Sequence, residues 1–173
     1  TISPKQRLDE VVAAAKLADD LGLDVFGVGE HHRLDFVVSS VPVVLAAISQ
    51  VTSRIKLTSA TTVLSTIDPV RVFEDFATLD LLSDGRAEII AGRGAFTESF
   101  PLFGYELDDH HRLFAENIKL LQQLNQHEIM NWEGKYRSSL TNAEIAPRPL
   151  QSSIPLWVGV GGTVETAEKA GSL

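Results

Sequence analysis

Glu30, His31 and His32 form the first group of residues that could do acid/base chemistry. They follow residues 25–29, an apolar run without alternation that predicts a strand buried on both faces. Histidine suits proton transfer because its side chain titrates close to neutral pH. The alternative is a surface loop with two solvated histidines. We expect no metal site, because adjacent side chains on a strand point to opposite faces and no third ligand is apparent nearby.

Arg93 is a candidate for binding a phosphate. It lies between Gly92 and Gly94 at the end of another apolar segment, and glycines allow a ligand to approach the backbone closely. A guanidinium group binds phosphate oxygens with two parallel hydrogen bonds. The alternative is a structural salt bridge to an acidic loop residue such as Glu98.

Gly161, Gly162 and Thr163 form a second candidate for anion binding. They stand between a predicted strand and a predicted helix, where backbone N–H groups and the helix dipole attract anions. The segment has neither the glycine spacing of a dinucleotide fingerprint nor the lysine of a P-loop, so a tight turn without a ligand is the alternative. Combined with Arg93, it indicates an enzyme that binds a phosphorylated ligand.

The elements that position these residues alternate between helix and strand. Apolar periodicity, glycines and prolines set their ends. An irregular stretch is expected over residues 94–108 and a hairpin-like excursion over 130–140. The predicted helices cover residues 4–21, 42–51, 69–82 and 109–125, with one more after residue 163, and the predicted strands cover 25–29, 55–64, 87–91 and 155–160.

Such alternation predicts a parallel α/β fold, in which functional groups collect at the carboxyl ends of the strands. Periodicity alone leaves open a doubly wound sheet or a (β/α)8 barrel. A full barrel needs roughly 250 residues. We therefore expect residues 1–173 to be a single domain that forms part of a barrel.

Composition excludes several function classes. The formal net charge of -8 disfavours binding to nucleic acid, and the basic residues form no run. There is no cysteine, so disulfides and thiolate chemistry are excluded. No apolar run is long enough to span a bilayer, and no secretory signal opens the sequence. These features predict a cytoplasmic protein without a membrane partner.

Several segments together resemble the luciferase-like flavin-dependent monooxygenases. They are Val-Gly-Glu-His-His at 28–32, residues 60–64, Asp-Pro-Val-Arg at 68–71, Leu-Asp-Leu-Leu-Ser-Asp-Gly-Arg at 79–86 and Gly-Arg-Gly at 92–94. Their order and spacing match, and the likeness extends from Leu8 onward. The resemblance implies a (β/α)8 TIM barrel whose first strand and last three strands lie outside this chain.

The resemblance also implies roles for individual residues. His31 matches the histidine needed for chemistry with the reduced flavin. Ala60 and Thr61 match a non-prolyl cis peptide that supports the isoalloxazine ring. Arg93 matches the arginine at the FMN phosphate, and Gly161, Gly162 and Thr163 match the second half of that phosphate site. Strand alternation would turn His32 away from the flavin, toward a subunit contact.

The activity implied is an FMN-dependent oxidoreductase. It would use reduced FMN from a separate flavin reductase, together with O2, to oxygenate a small organic substrate. Glu-His-His favours the FMN branch over the deazaflavin (F420) branch. The alternatives are an F420-dependent hydride-transfer enzyme, a non-catalytic flavin-binding subunit and a plain phosphate-binding module. The family also implies a homodimer, formed through helices at 42–52 and 69–82.

Overall fold

A computed structural model describes residues 2–161 and 164–172, in which helices alternate with the strands of a parallel sheet. The helices are α1 (Pro4–Asp20), α2 (Val41–Ser49), α3 (Pro69–Leu82), α4 (Ser99–Phe103), α5 (His110–Gln126) and α6 (Val164–Gly171), with a 3-10 turn at Leu107–Asp109. The strands are β1 (Val25–Val28), β2 (Lys56–Ser59), β3 (Thr62–Val63), β4 (Ala87–Gly92), β5 (Ile129–Trp132), β6 (Leu140–Glu144) and β7 (Leu156–Val158).

The main sheet has the order β1-β2-β4-β3, and β7 also pairs with β4. Every pairing in it is parallel. Strands β2 and β3 together replace the single strand predicted over 55–64, because the chain bends at a cis peptide between Ala60 and Thr61. The carboxyl ends of parallel strands share one edge of the sheet, so residues that follow β1, β3, β4 and β7 are brought together there.

One face of the sheet packs against the helices and forms the core. In β1, Val28 is 5% exposed whereas Val25 is 47% exposed. The prediction that this strand is buried on both faces is therefore wrong for the described residues, because the helices among them cover only one face. The largest fully buried side chains are Phe73, Phe76, Phe100, Leu45, Ile48, Ile55, Leu57, Leu64, Leu79, Ile89, Leu113 and Ile118.

Local sequence accounts for the ends of the helices that lead to the site. At α3 the Asp68 side chain accepts a hydrogen bond from the Val70 N–H at 2.8 Å, and Pro69 occupies the first turn. This N-cap, with proline in the first turn, accounts for the predicted start of the helix at residue 69. At α1, Ser3 caps the Gln6 N–H in the same way.

The segment at 79–86, which carried much of the family resemblance, stabilises the fold. Asp84 and Gly85 turn the chain with positive φ values of 56° and 78°. The Arg86 guanidinium is buried and donates to the carbonyls of Ser49, Thr52, Ile55 and Ser83. It therefore ties the ends of α2 and α3 to the start of β4.

The regions predicted as an irregular stretch and as a hairpin-like excursion both contain regular secondary structure. The stretch 94–108 includes α4 and the start of the 3-10 turn. The hairpin-like excursion predicted over 130–140 is confirmed as an antiparallel pair of β5 and β6, which extends over 129–144. Among the helices of the described residues, none has the length and apolar character needed to cross a membrane.

Asp19 makes the stability of the fold depend on pH in the acid range. Its carboxylate accepts hydrogen bonds from the backbone N–H groups of Ser53, Ile55 and Arg54. These bonds, of which the one from Ser53 contributes most, lower the pKa of Asp19 from 3.8 to about 2, against the opposing effect of burial. The hydrogen bonds favour the ionised form, so they join the end of α1 to the segment before β2 most strongly when Asp19 is charged.

We expect this contribution to be fully present above pH 3.8 and to be lost as the pH falls through about 2. Asp19→Asn should therefore destabilise the protein near neutral pH. The difference in the free energy of unfolding between wild type and this variant should become smaller as the pH approaches 2. Denaturant unfolding at a series of pH values measures the free energy of unfolding of both proteins. Asp20→Asn is the control, because that carboxylate is exposed and pairs with the exposed side chain of Lys16. A gap that is constant with pH would contradict the assignment.

Candidate functional site

His31 lies in the loop after β1, at the carboxyl edge of the sheet. Its ring stacks on Phe36 with centroids 3.9 Å apart, and Phe96 contacts it edge-on at 4.8 Å. Its backbone N–H donates to the Val38 carbonyl at 2.9 Å, which fixes the loop. The Nδ1 atom is buried and has no hydrogen-bond partner among the described residues. The imidazole is therefore held by aromatic contacts, with one nitrogen left for a ligand.

The peptide between Ala60 and Thr61 is cis, as the family resemblance predicted. The Ala60 N–H donates to the Val28 carbonyl at 2.7 Å, which keeps this segment beside β1. The Thr61 side chain lies against two glycines on neighbouring strands. A Cβ atom at Gly92 would lie 2.5 Å from Thr61 Oγ1, and one at Gly159 would lie 2.8 Å from Thr61 Cγ2. A side chain at either position would therefore displace the side chain of Thr61.

These groups meet in one pocket of about 320 Å³, called here the His31 pocket. It combines the histidine with the cis peptide and with the loop that follows β4. Its lining residues are Glu30, His31, His32, Ala60, Thr61, Val63, Gly94, Ala95, Phe96, Glu98 and Ser99.

Glu30 and His32 form a buried pair beside His31. Glu30 Oε1 lies 2.8 Å from His32 Nε2, and the two side chains are 8% and 10% exposed. Glu30 Oε2 accepts a hydrogen bond from the Val63 N–H at 3.0 Å. His32 also contacts Phe103 edge-on at 4.9 Å. His32 therefore has its own buried partner and still lines the His31 pocket, whereas the prediction turned it toward a subunit contact.

Arg93 follows β4 directly and points to the start of α5. Its Nη1 atom lies 2.7 Å from Nδ1 of His111. Among the described residues it forms no salt bridge with Glu98, which was the structural alternative. Gly94, the next residue, lines the His31 pocket, so the backbone of Arg93 leads into that pocket while its guanidinium group is directed to His111.

The predicted glycine-rich segment is only partly visible. Gly161 is exposed, and nothing lies within 4 Å of the position that a Cβ would occupy there. Gly162 and Thr163 lie outside the described residues. Gly159, two residues before Gly161, is close to Thr61, so β7 ends beside the segment with the cis peptide.

From the sequence, Glu30 was considered only together with the two histidines and Gly92 only as a neighbour of Arg93, and Gly159 was not selected. Glu30 directly precedes the two histidines, which was a usable signal for a hydrogen-bond partner. Gly92 and Gly159 each stand at the end of a strand, where a glycine marks close approach of another group.

The chain matches the family model described as luciferase-like monooxygenase over residues 1–173. It is 26% identical over 163 residues to the oxygenase component of a flavin-dependent trigonelline monooxygenase from Acinetobacter baylyi, covering 89% of this chain and 43% of that protein. It is 31% identical over 167 residues to an F420-dependent glucose-6-phosphate dehydrogenase from Amycolatopsis mediterranei, covering 90% of this chain and 48% of that protein.

Among solved structures, the monooxygenase RslO1 from Streptomyces bottropensis superimposes with a TM-score of 0.88 at 26% identity. The match covers 97% of this chain and 52% of that one. The chain thus spans about half the length of the relatives that it matches. Its parallel α/β architecture is part of the TIM barrel of those relatives, and the chain belongs to the luciferase-like monooxygenase family.

Proposed function

We propose that the protein containing this chain is a monooxygenase that uses reduced FMN and O2 to oxygenate a small organic substrate. The observation that carries the proposal is the His31 pocket. It brings the side chain of His31, whose buried Nδ1 atom has no hydrogen-bond partner among the described residues, together with the Ala60–Thr61 segment. A flavin-dependent monooxygenase is also among the relatives, at 26% identity.

The residues present fit a flavin mononucleotide. Ala60 and Thr61 would support the flavin ring, and His31, whose Nδ1 atom has no partner among the described residues, lines the same pocket. Arg93 would hold the phosphate from the end of β4, because its guanidinium group can form two hydrogen bonds to phosphate oxygens. Gly161, Gly162 and Thr163 would add backbone N–H groups from the next strand end.

The bound reduced flavin would supply the electrons that activate dioxygen. His31 would manage protons at that position, which suits an imidazole held in a fixed orientation by Phe36 and Phe96. Exclusion of water from the reacting groups would depend on the rest of the barrel, because Phe36 and Phe96 are 41% and 42% exposed. The protein would thus contribute orientation, exclusion of water and proton transfer.

A second candidate is F420-dependent hydride transfer on the same barrel. The 31% identity to an F420-dependent glucose-6-phosphate dehydrogenase favours it. The Glu-His-His sequence at 30–32, which resembles the FMN-using branch, favours FMN. A non-catalytic flavin-binding subunit is the third possibility, and an intact His31 at the pocket argues against it.

We expect the intact protein to bind FMN, more tightly when the flavin is reduced, and to consume oxygen with reduced FMN and substrate. Equilibrium titration with FMN and F420, followed by oxygen-electrode measurements, tests both parts. Binding of F420 with no response to FMN would overturn the proposal in favour of hydride transfer.

The proposed partners are a flavin reductase that supplies reduced FMN and a second copy of the protein. Helices α2 and α3 were the predicted dimer contact. Both expose apolar side chains, of which Val43 on α2 is 68% exposed and Leu82 on α3 is 50% exposed. These residues support the homodimer, which stays a prediction.

A further inference from the structure

Glu30 connects two strand ends that have no direct backbone pairing. Strand β1 pairs with β2, and β3 pairs with β4. Among the described residues, no strand pairing therefore joins β1 directly to β3. The last backbone link on this side is the hydrogen bond from the Ala60 N–H to the Val28 carbonyl. Beyond it, the Val63 N–H donates to Glu30 Oε2 at 3.0 Å. A side-chain carboxylate thus takes the place of a strand partner.

The environment of Glu30 makes this link strong. The side chain is 8% exposed, so water competes little for its oxygens. Its other oxygen, Oε1, lies 2.8 Å from His32 Nε2. A carboxylate only accepts hydrogen bonds, so His32 donates through Nε2. Both oxygens are therefore used, and the carboxylate is held on two sides.

The link spans the wall of the His31 pocket. One end is the loop that carries His31, and the other end is the residue that follows Thr62 after the cis peptide. Glu30, His31, Ala60, Thr61 and Val63 all line the same pocket. A change in the length of this link would therefore alter the distance between His31 and the Ala60–Thr61 peptide.

We propose that Glu30 is a positioning residue for the flavin ring, which it serves by holding the His31 loop and the Ala60–Thr61 segment at a fixed separation. The inference rests on the proposed function. It assigns Glu30 to the ring and Arg93 to the phosphate, so the two residues act on different parts of FMN. Riboflavin, which has the ring and lacks the phosphate, separates their effects.

The test is titration of the intact protein with FMN and with riboflavin, for wild type and for Glu30→Ala, Glu30→Gln, Glu30→Asp and His32→Ala. Glu30→Ala should weaken both ligands by the same factor, about tenfold or more, because a hydrogen bond to a charged acceptor is lost. Glu30→Gln should restore most of the affinity, since its amide oxygen still accepts from the Val63 N–H. His32→Ala, which leaves that bond in place, should weaken binding less than Glu30→Ala.

Visible circular dichroism of the bound flavin gives a second readout, because it reports the surroundings of the ring. We expect the spectrum to change in Glu30→Ala and to return in Glu30→Gln. Glu10→Ala, which removes a carboxylate paired with Arg7 on the exposed side of α1, is the control for loss of charge. If Glu30→Ala does not fold, Glu30→Asp carries the test, because its shorter side chain keeps the charge and loses the reach.

Different failures point to different conclusions. If wild type binds FMN and riboflavin and the alanine or aspartate variant binds both equally well, the role of Glu30 is overturned and the proposed function stands. The role of Glu30 is likewise overturned if Glu30→Ala weakens binding of FMN and leaves binding of riboflavin unchanged, or if Glu30→Gln does not restore binding. If wild type binds neither flavin, the proposed function is overturned together with this inference.

Discussion

His31→Ala is expected to abolish product formation in the intact protein while leaving FMN affinity nearly unchanged. The side chain reaches the pocket that contains the Ala60–Thr61 peptide, and its Nδ1 atom has no partner among the described residues. Removal of a general acid or base typically slows a reaction by about 10²- to 10⁴-fold. The proposed phosphate contacts lie on other strand ends, at Arg93 and Gly161, so most of the binding energy should survive.

A second substitution separates proton transfer from packing. The His31 ring stacks on Phe36 and contacts Phe96, so alanine removes aromatic contacts as well as both nitrogens. His31→Phe keeps an aromatic ring that can stack on Phe36, although a larger one, and removes both nitrogens. If His31 moves protons, the two variants should lose product formation to a similar extent.

The measurement pairs FMN binding by fluorescence with product yield from pre-reduced FMN and oxygen. His32→Ala is the comparison at the neighbouring position, where the ring is held by Glu30. We expect His32→Ala to keep measurable turnover. Full activity in His31→Phe would show that the ring matters only for packing. Loss of turnover in His32→Ala with normal turnover in His31→Ala would reverse the assignment of the two histidines.

The elements of the fold were predictable because their signals are local. Apolar periodicity and Gly22 set the extent of α1, and Asp68 followed by Pro69 set the start of α3. The break in the strand at 55–64 was not visible in the apolar pattern, because Thr61 and Thr62 are both compatible with a continuous strand. Only the family resemblance indicated the cis peptide there.

The contacts that shape the site were much less predictable, since they join residues that are distant in the sequence. The bond between Glu30 and Val63 spans 33 positions, and the contact of Arg93 with His111 spans 18. Nothing local to Arg93 distinguishes His111 from Glu98 as its neighbour. The position depends on how β4 and α5 pack, which a single sequence does not specify.

Arg93→Ala is expected to weaken FMN binding by roughly 10- to 150-fold and to leave riboflavin binding unchanged. A hydrogen bond to a charged group is worth about 1.5–3 kcal/mol, which corresponds to that range. Arg93 directly precedes Gly94, which lines the His31 pocket, and its guanidinium group is directed to His111 at the start of α5. Riboflavin has no phosphate, so it should not depend on this group.

Two further variants distinguish geometry from charge. Arg93→Lys keeps the positive charge and loses the two-pronged donor arrangement, so its FMN affinity should fall between those of wild type and alanine. Arg112→Ala removes a nearby charge that pairs with Asp109 on the exposed side of the same helix start. It should change FMN affinity only slightly, because an exposed charge is largely screened by solvent and salt.

The dependence of binding on salt provides the deciding comparison for Arg93. If the guanidinium group holds a phosphate dianion, wild-type affinity for FMN should fall as salt is added, and this slope should be smaller in Arg93→Ala. Riboflavin affinity should vary little with salt in either protein. An equal loss of FMN and riboflavin binding in Arg93→Ala, with unchanged salt slopes, would instead mean that Arg93 supports the local fold through its contact with His111. The phosphate would then have to be held by the backbone at the end of β7, where Gly161 begins the segment that leads into α6.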